Sequence, residues 1–244
     1  MRVQAAHYHA RIWEGIGDVL AGRRRVLEVG CGPGDDARRL AGAGHEVTAV
    51  DVEASEGWAL SGPGVTFVEG SAERLPFPDG SFDAVLERDA LHHIAEPGRA
   101  LREMRRVLRP GGIAVIVECN RYNPLFYAHM TRLHGHDHFS VPYLRGLLHA
   151  TFDHVEIRML ETRAYPFVGD AAMPVVRRWE RMVERTPGLR AIAAYAVAVG
   201  TVDDPDRPVS TEAVFRGGLL PALARRGVRV GFHRRAEAGA PDGG

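Results

Sequence analysis

Short apolar runs alternate with helix-period segments from about Arg25 to Thr201, and this alternation constrains the fold more than any single motif. Val26–Val29, Glu46–Val50, Val65–Val68, Phe82–Leu86 and Ile113–Val117 read as strands. Asp36–Ala43 and Arg99–Leu108 read as helices, the second stopped by the breaker Pro110-Gly111-Gly112. Farther along, the pattern predicts a helix at Pro142–Ala150, a strand at Val155–Leu160, a helix at Pro174–Arg185 and a strand at Ile192–Val199. Consecutive strands joined through helices must lie parallel, so the expectation is an α/β, doubly wound sheet with helices on both faces. Val52–Gly64 is short and rich in Gly and Pro, which predicts a reduced helix after the second strand.

Composition removes several chemistries. Lys+Arg and Asp+Glu both total 31, and every cation is an arginine. Without lysine there is no Walker A phosphate loop, no Schiff-base chemistry and no kinase-type ATP site. A net charge of zero argues against a polynucleotide partner, whose affinity would come from neutralised phosphates. The plain cause of the missing lysine is codon bias in a GC-rich genome. Cys31 and Cys119 are far apart with no CxxC pair, which disfavours a disulfide framework or a structural zinc site. No apolar run approaches a membrane span and no secretory leader is visible, so the expected partners include no membrane and the expected location is cytoplasmic.

The first strand runs into Glu28-Val29-Gly30-Cys31-Gly32-Pro33-Gly34. In a doubly wound sheet this loop lies at the carboxyl ends of the strands, where ligands bind. Glycines there admit close backbone approach, and the next helix N-terminus favours an anion. A dinucleotide loop, G-x-G-x-x-G, needs glycine at position 35, where this chain has Asp35, so a nicotinamide dehydrogenase is opposed.

The E-x-G-x-G-x-G spacing resembles motif I of the class I S-adenosylmethionine-dependent methyltransferases. Four further segments continue the resemblance in order. They are Asp51 at the end of the second strand, Gly70–Phe77, Phe82–Val85 followed by Leu91-His92-His93-Ile94, and Leu108–Gly112. The family implies a Rossmann-like seven-stranded sheet of order 3-2-1-4-5-7-6 with the last strand, near Ala194–Thr201, antiparallel. It implies residues 1–22 as an N-terminal helical cap and 23–202 as the cofactor-binding domain; residues 120–140, with aromatics and four histidines between two core elements, read as a lid or insertion. Residues 203–244 then form a partly disordered tail, with a weak helical pattern at Thr211–Arg226.

By the same resemblance the cofactor is S-adenosylmethionine, met by Glu28, Gly30, Cys31, Gly32 and Gly34 in the loop. Asp51 with Val52 would meet the ribose, and Ser71, Ala72 and Glu73 the adenine, Ser71 standing where the family usually has an acid. Glu87 and His92 extend the cofactor site, and Tyr8, with Arg11 as charge partner, is the candidate for the methionine carboxylate. The implied reaction is in-line SN2 methyl transfer, in which positioning supplies most of the catalysis. An alcohol or phenol acceptor also gains from a general base. His92 and His93 are the candidate bases, with a framework role as the alternative.

Tyr122, Tyr127, His129, His138 and Phe139 are candidates to line an acceptor pocket in the lid. Its histidines, His129, His134, His136 and His138 with Asp137, are zinc-type donors. They read as an exposed polar loop, and no metal is expected. Arg102, Arg105, Arg106 and Arg109 read as a solvated basic face balanced by Glu96 and Glu103. Glu87-Arg88-Asp89-Ala90 lacks the proline pair of nucleobase amino methyltransferases, and neither cysteine follows a proline as carbon-5 pyrimidine chemistry requires. What remains is a small-molecule acceptor methylated on O, N or C, in secondary-metabolite or quinone tailoring in a GC-rich bacterium. A homodimer stays open, as does a catalytically inactive cofactor-binding or partner subunit.

Overall fold

A computed structural model describes residues 2–60, 62–124, 127–128, 138–162 and 169–209. Its strands are β1 (Arg25–Val29), β2 (Glu46–Asp51), β3 (Val65–Glu69), β4 (Phe82–Arg88), β5 (Leu108–Cys119), β6 (His154–Leu160) and β7 (Tyr195–Val202). They form one sheet in the order β3-β2-β1-β4-β5-β7-β6. All pairings are parallel except those of β7, which runs antiparallel to β5 and β6. This is the expected doubly wound sheet. The helices are α1 (Arg2–Leu20), α2 (Asp35–Gly42), α3 (Pro97–Val107), α4 (Val141–Thr151), α5 (Met173–Arg185) and the single turn α6 (Pro187–Arg190).

Side-chain alternation sorts the core into two layers. Val26, Leu86, Val115 and Val117 face Ile12, Ile16 and Leu20 of α1 and Leu40 of α2. Leu27, Val85, Ala114 and Ile116 face Leu101 and Met104 of α3 and Leu147 of α4. The period of two continues to the strand ends, where it aims charged side chains to opposite faces. Glu28 and Arg88 fall on the α1/α2 side, and Glu87 and Glu118 on the α3/α4 side.

Several expected boundaries shift for identifiable reasons. Helix α3 begins at Pro97, whose fixed φ suits a first turn, rather than at Arg99. It ends at Val107, because Leu108 is already extended (φ −78°, ψ 135°) and opens β5. The last strand starts at Tyr195 rather than Ile192. The Asn120 side-chain amide donates to the carbonyls of Ala191 and Ala193, and that of Asn123 donates to Ile192, so these carbonyls are spent outside the ladder. Only the short 3-10 turn Glu56–Leu60 follows β2, as its composition predicts. Helix α1 runs 19 residues, longer than the short amphipathic segment expected around Tyr8. The expectations for residues 210–244, including a helix at Thr211–Arg226, lie outside the described residues.

Arg105, Arg106 and Arg109, expected on a solvated basic face, are each paired, Arg105 in the interior and Arg109 at the exposed start of β5. Arg105 is buried and pairs with Asp153, Arg106 pairs with Glu103 and Asp79, and Arg109 pairs with Asp83. Asp153 lies 48 residues from Arg105 in sequence, so local spacing did not disclose the pair. It also accepts from Arg207 (2.8 Å) and from the backbone N–H groups of Asp203 and Asp204 (2.8 and 3.1 Å). Burial opposes its ionisation, but these bonds and the Arg105 pair outweigh it and hold the carboxyl well below the usual carboxylate range.

Two stability predictions of opposite sign follow from buried carboxyls. Asp153→Asn should lower the unfolding free energy at neutral pH by about 3 kcal/mol, because it leaves Arg105 without its charge partner. The folded carboxyl titrates below its unfolded value, so the wild type should lose that increment as pH falls below about 4, measured by urea unfolding. Glu28 behaves the other way, since burial first and Asp36 second push its carboxyl up to about 8. Its stabilising contribution is complete in acid and drains away as pH rises toward 8. Glu28→Gln should therefore gain on the wild type in thermal unfolding between about pH 5 and pH 8, and a gap that stays constant would refute a neutral Glu28.

Candidate functional site

The chain leaves β1 at Gly30 with φ 74°, and a Cβ there would lie 2.3 Å from the Cβ of Ala90. The Gly30 and Cys31 N–H groups donate to the Val50 carbonyl (2.8 and 3.2 Å), and Gly32 N–H donates to Asp51 Oδ2 (2.7 Å). Gly34 (φ 82°) opens α2, and a Cβ there would meet the Phe67 ring at 2.6 Å. Glu28 sits behind the loop and accepts from the Ala37 N–H, capping α2 where Gly34 offers no side chain. Burial, then Glu28 and Asp51, push the Cys31 thiol up to about 12, which keeps it a neutral packing group. From outside, the Trp58 indole donates to the Gly32 carbonyl (2.8 Å) and stacks on Phe67 with centroids 4.9 Å apart. Sequence reading missed Trp58, whose only signal was an aromatic residue in a Gly- and Pro-rich stretch.

A cleft of about 420 Å³ opens above this loop at the carboxyl ends of β1 to β4. Gly30, Asp51, Val52, Ser71, Ala72 and Glu73 line it, so the structure brings these expected cofactor residues together. The Ser71 hydroxyl accepts from Glu73 N–H (3.2 Å), and the Glu73 carboxylate accepts from Glu96 N–H (2.8 Å), which fixes this wall. Cys31, Gly32 and Gly34 shape the loop, while Glu28, Glu87 and His92 stand behind the lining. His93 is in the lining.

Asp89 also lines the cleft, and sequence reading did not single it out. It is the non-glycine residue with left-handed backbone among those described (φ 55°), and it accepts from the Cys119 thiol (3.2 Å). Burial raises its carboxyl, and Cys119 and Arg88 act against that rise. Among the described residues the ionisable lining is thus Asp51, Glu73, Asp89 and His93, an acidic rim without an arginine.

Two clusters flank the cleft. On the α1/α2 face the Tyr8 and Tyr195 hydroxyls are 2.8 Å apart, and Arg88 pairs with Asp36 while reaching Tyr8 at 3.5 Å. Burial and then Asp89 push the Tyr8 hydroxyl up to about 12, so it acts as a neutral hydrogen-bonding group. Arg11 pairs with Glu14 and Glu184 rather than with Tyr8. On the α3/α4 face Glu87 accepts from Ala90 and Leu91 N–H (2.7 and 2.8 Å), closing the turn after β4. Glu118 accepts from His92 N–H (3.1 Å) and lies 2.7 Å from His92 Nδ1. The rings of His93 and His138 lie 4.1 and 4.5 Å from that of His92. Burial raises Glu87 and Glu118, each further raised by neighbouring acid, and lowers His92. Two buried carboxyls in contact retain a proton between them, so the cluster stays close to neutral.

Of the acceptor-pocket candidates, His138 joins this cluster, and Phe139 is half-buried against Tyr143 with centroids 5.3 Å apart. Tyr122 and Tyr127 are exposed. His129, His134, His136 and Asp137 lie outside the described residues.

A family model described as a methyltransferase domain matches residues 27–116, from β1 into β5. Among curated proteins, an uncharacterised methyltransferase of Mycobacterium sp. (strain JLS) is 40% identical over 111 residues, 44% of this chain and 43% of that protein. A demethylmenaquinone methyltransferase of Renibacterium salmoninarum is 42% identical over 39% of this chain and 41% of its own length. A ubiquinone/menaquinone biosynthesis C-methyltransferase of Pseudomonas paraeruginosa is 36% identical over 46% and 49%. The chain thus spans less than half the length of these curated relatives. Among solved structures, the complex between the Haloferax volcanii Trm112 methyltransferase activator and a methyltransferase gives a TM-score of 0.60 at 23% identity, covering 82% of this chain and 92% of that one. The [4+2]-cyclase SpnF gives 0.56 at 26% identity, covering 80% and 82%. The matched family and the relatives agree on a methyltransferase domain over residues 27–116, and the sheet order is the one expected for the class I S-adenosylmethionine-dependent methyltransferase fold.

Proposed function

We propose that the chain transfers a methyl group from S-adenosylmethionine to a small acceptor carrying an acidic hydroxyl, of the phenol or hydroquinone type. The observation that carries the cofactor part is the cleft itself. Gly30 lets the turn after β1 close against Ala90, Asp51 stands at the end of β2, and the acidic rim suits a ligand bearing a sulfonium and an ammonium. When bound, the cofactor supplies an electrophilic methyl group, transferred in line to the acceptor. In this reading Asp51 accepts from the ribose hydroxyls, Ser71 to Glu73 border the adenine, and Asp89 faces the cationic end. Loss of the sulfonium charge on transfer weakens the fit to the acidic rim, which favours product release.

The acceptor part rests on the His92–Glu118 pair and on the likeness to relatives named for quinone methylation. With Nδ1 engaged by Glu118, Nε2 is the ring nitrogen left to take a proton. Removing the proton of a phenol raises the nucleophilicity of its oxygen and of the adjacent ring carbons, so one base serves O- or C-methylation. The likeness to a [4+2]-cyclase favours a second reading, in which the chain binds the cofactor without transferring its methyl group.

Calorimetry should show saturable binding of S-adenosylmethionine, weakened on the order of 10- to 100-fold in Asp51→Ala. His92→Ala should keep cofactor affinity but lose roughly 10²- to 10⁴-fold in turnover of a hydroquinone acceptor. Burial lowers His92, so the wild-type rate should begin to fall only below the ordinary histidine value of 6.5. Full turnover in His92→Ala would remove it as the base, and binding without turnover of any acceptor would favour the second reading.

A further inference from the structure

We propose that the outward face of α5 is a docking surface for an anionic lipid bilayer. Val175, Trp179 and Met182 are 71%, 41% and 43% exposed. At 3.6 residues per turn they fall within a sector of about 60° and form one stripe along the helix. Arg178, Arg181 and Arg185, all exposed, stand on the flank of that stripe. The two carboxylates of the helix are turned inward to α1, Glu180 to His7 (2.8 Å) and Glu184 to Arg11 (2.6 Å). Among the residues of the helix itself, the outward face is therefore apolar and positive. Apolar side chains that enter the headgroup region beside arginines that stay at the phosphates are the composition of a helix lying in the membrane interface.

The helix is held rigidly enough to present that face. Met173, Val176 and Val183 are buried beneath it, and the Glu184 carboxylate also accepts from Glu161 N–H (3.0 Å) just past β6. The Glu161 anchor follows Leu160, which lies at the same end of the sheet as the cleft: Leu160 pairs with Tyr195, Tyr195 pairs with Cys119, and the Cys119 thiol donates to Asp89. A second copy of the chain fits this face poorly, because a two-fold contact would bring its arginines against each other with no acid between them. The sequence expectation of no membrane partner rested on the absence of a spanning run, and an interfacial helix needs none.

Sedimentation of the full chain with phosphatidylcholine vesicles, with and without phosphatidylglycerol, tests the proposal in the absence of cofactor and acceptor. Its outcome is therefore independent of methyl transfer. Partitioning should be about tenfold or more stronger on the anionic vesicles and should weaken as salt rises. The double substitution Trp179→Ala with Met182→Ala should lose that partitioning, as should Arg178→Glu with Arg181→Glu and Arg185→Glu. Thermal unfolding should match the wild type, since the replaced side chains are exposed. Absence of binding to either vesicle, or binding that the two variants retain, overturns the proposal. So does a dimer in sedimentation velocity that the Trp179→Ala, Met182→Ala variant abolishes, because the stripe is then an interface between copies.

Discussion

Gly30 has no side chain, and the Cβ of Ala90 occupies the space one would need, 2.3 Å from the nearest Cβ it could carry. The turn after β1 and the turn after β4 therefore touch at backbone distance, and the other parts of the carboxyl end are arranged around that contact. With Gly30 in place, Gly32 can give its N–H to Asp51, which fixes the carboxylate at the end of β2. The turn after β4 is fixed from behind by Glu87, which accepts from Ala90 and Leu91. This closure leaves Asp89 in a left-handed conformation at the lip of the cleft. A non-glycine residue held there implies that the surroundings determine its conformation more strongly than its own preference does.

The two faces of the sheet carry the strain of burying ionisable groups differently. On the α1/α2 face Arg88 is matched by Asp36 and the two tyrosines hydrogen-bond to each other, while Glu28 alone keeps its proton. On the α3/α4 face no arginine accompanies Glu87 and Glu118, and the groups stay close to neutral by holding on to protons. Under the proposed function the proton moves on the α3/α4 face at His92, while the Arg88–Asp36 pair holds shape on the other.

Strand identity and the glycine loop were legible in the sequence because they rest on local spacing, and the sheet order followed from the family resemblance that those motifs carry. Val26–Val29, the three glycines and Asp51 all lie within reach of period and motif. The alternation that reveals β1 also places Glu28 on the α2 face, away from the cleft, although its motif position alone reads as a ligand contact. Contacts made at long range were not legible. Arg105 looks solvated by its helical spacing and is buried only because Asp153 meets it from before β6. Asp89 carries no local mark, since its left-handed backbone follows from the closure at Gly30 and Glu87. The outward stripe of α5 was hidden for the opposite reason: Val175, Trp179 and Met182 have the spacing of a core face, and only packing shows that Val176, Glu180 and Val183 take the inward side.

The absence of lysine acquires a structural meaning at some positions and none at others. Arg106 donates through one guanidinium to Glu103, Asp79 and the carbonyls of Leu75 and Phe77, which ties α3 to the loop before β4. Arg105 reaches both carboxylate oxygens of Asp153 and the Asp204 carbonyl, which ties α3 to the chain after β7. An ammonium is a compact, strongly hydrated point charge without the planar fork these geometries use. At exposed sites such as Arg24, paired only with Glu46, a lysine would make the same contact at little cost. Genome composition therefore suffices to explain arginine at the surface. The seams at Arg105 and Arg106 would select it in any genome.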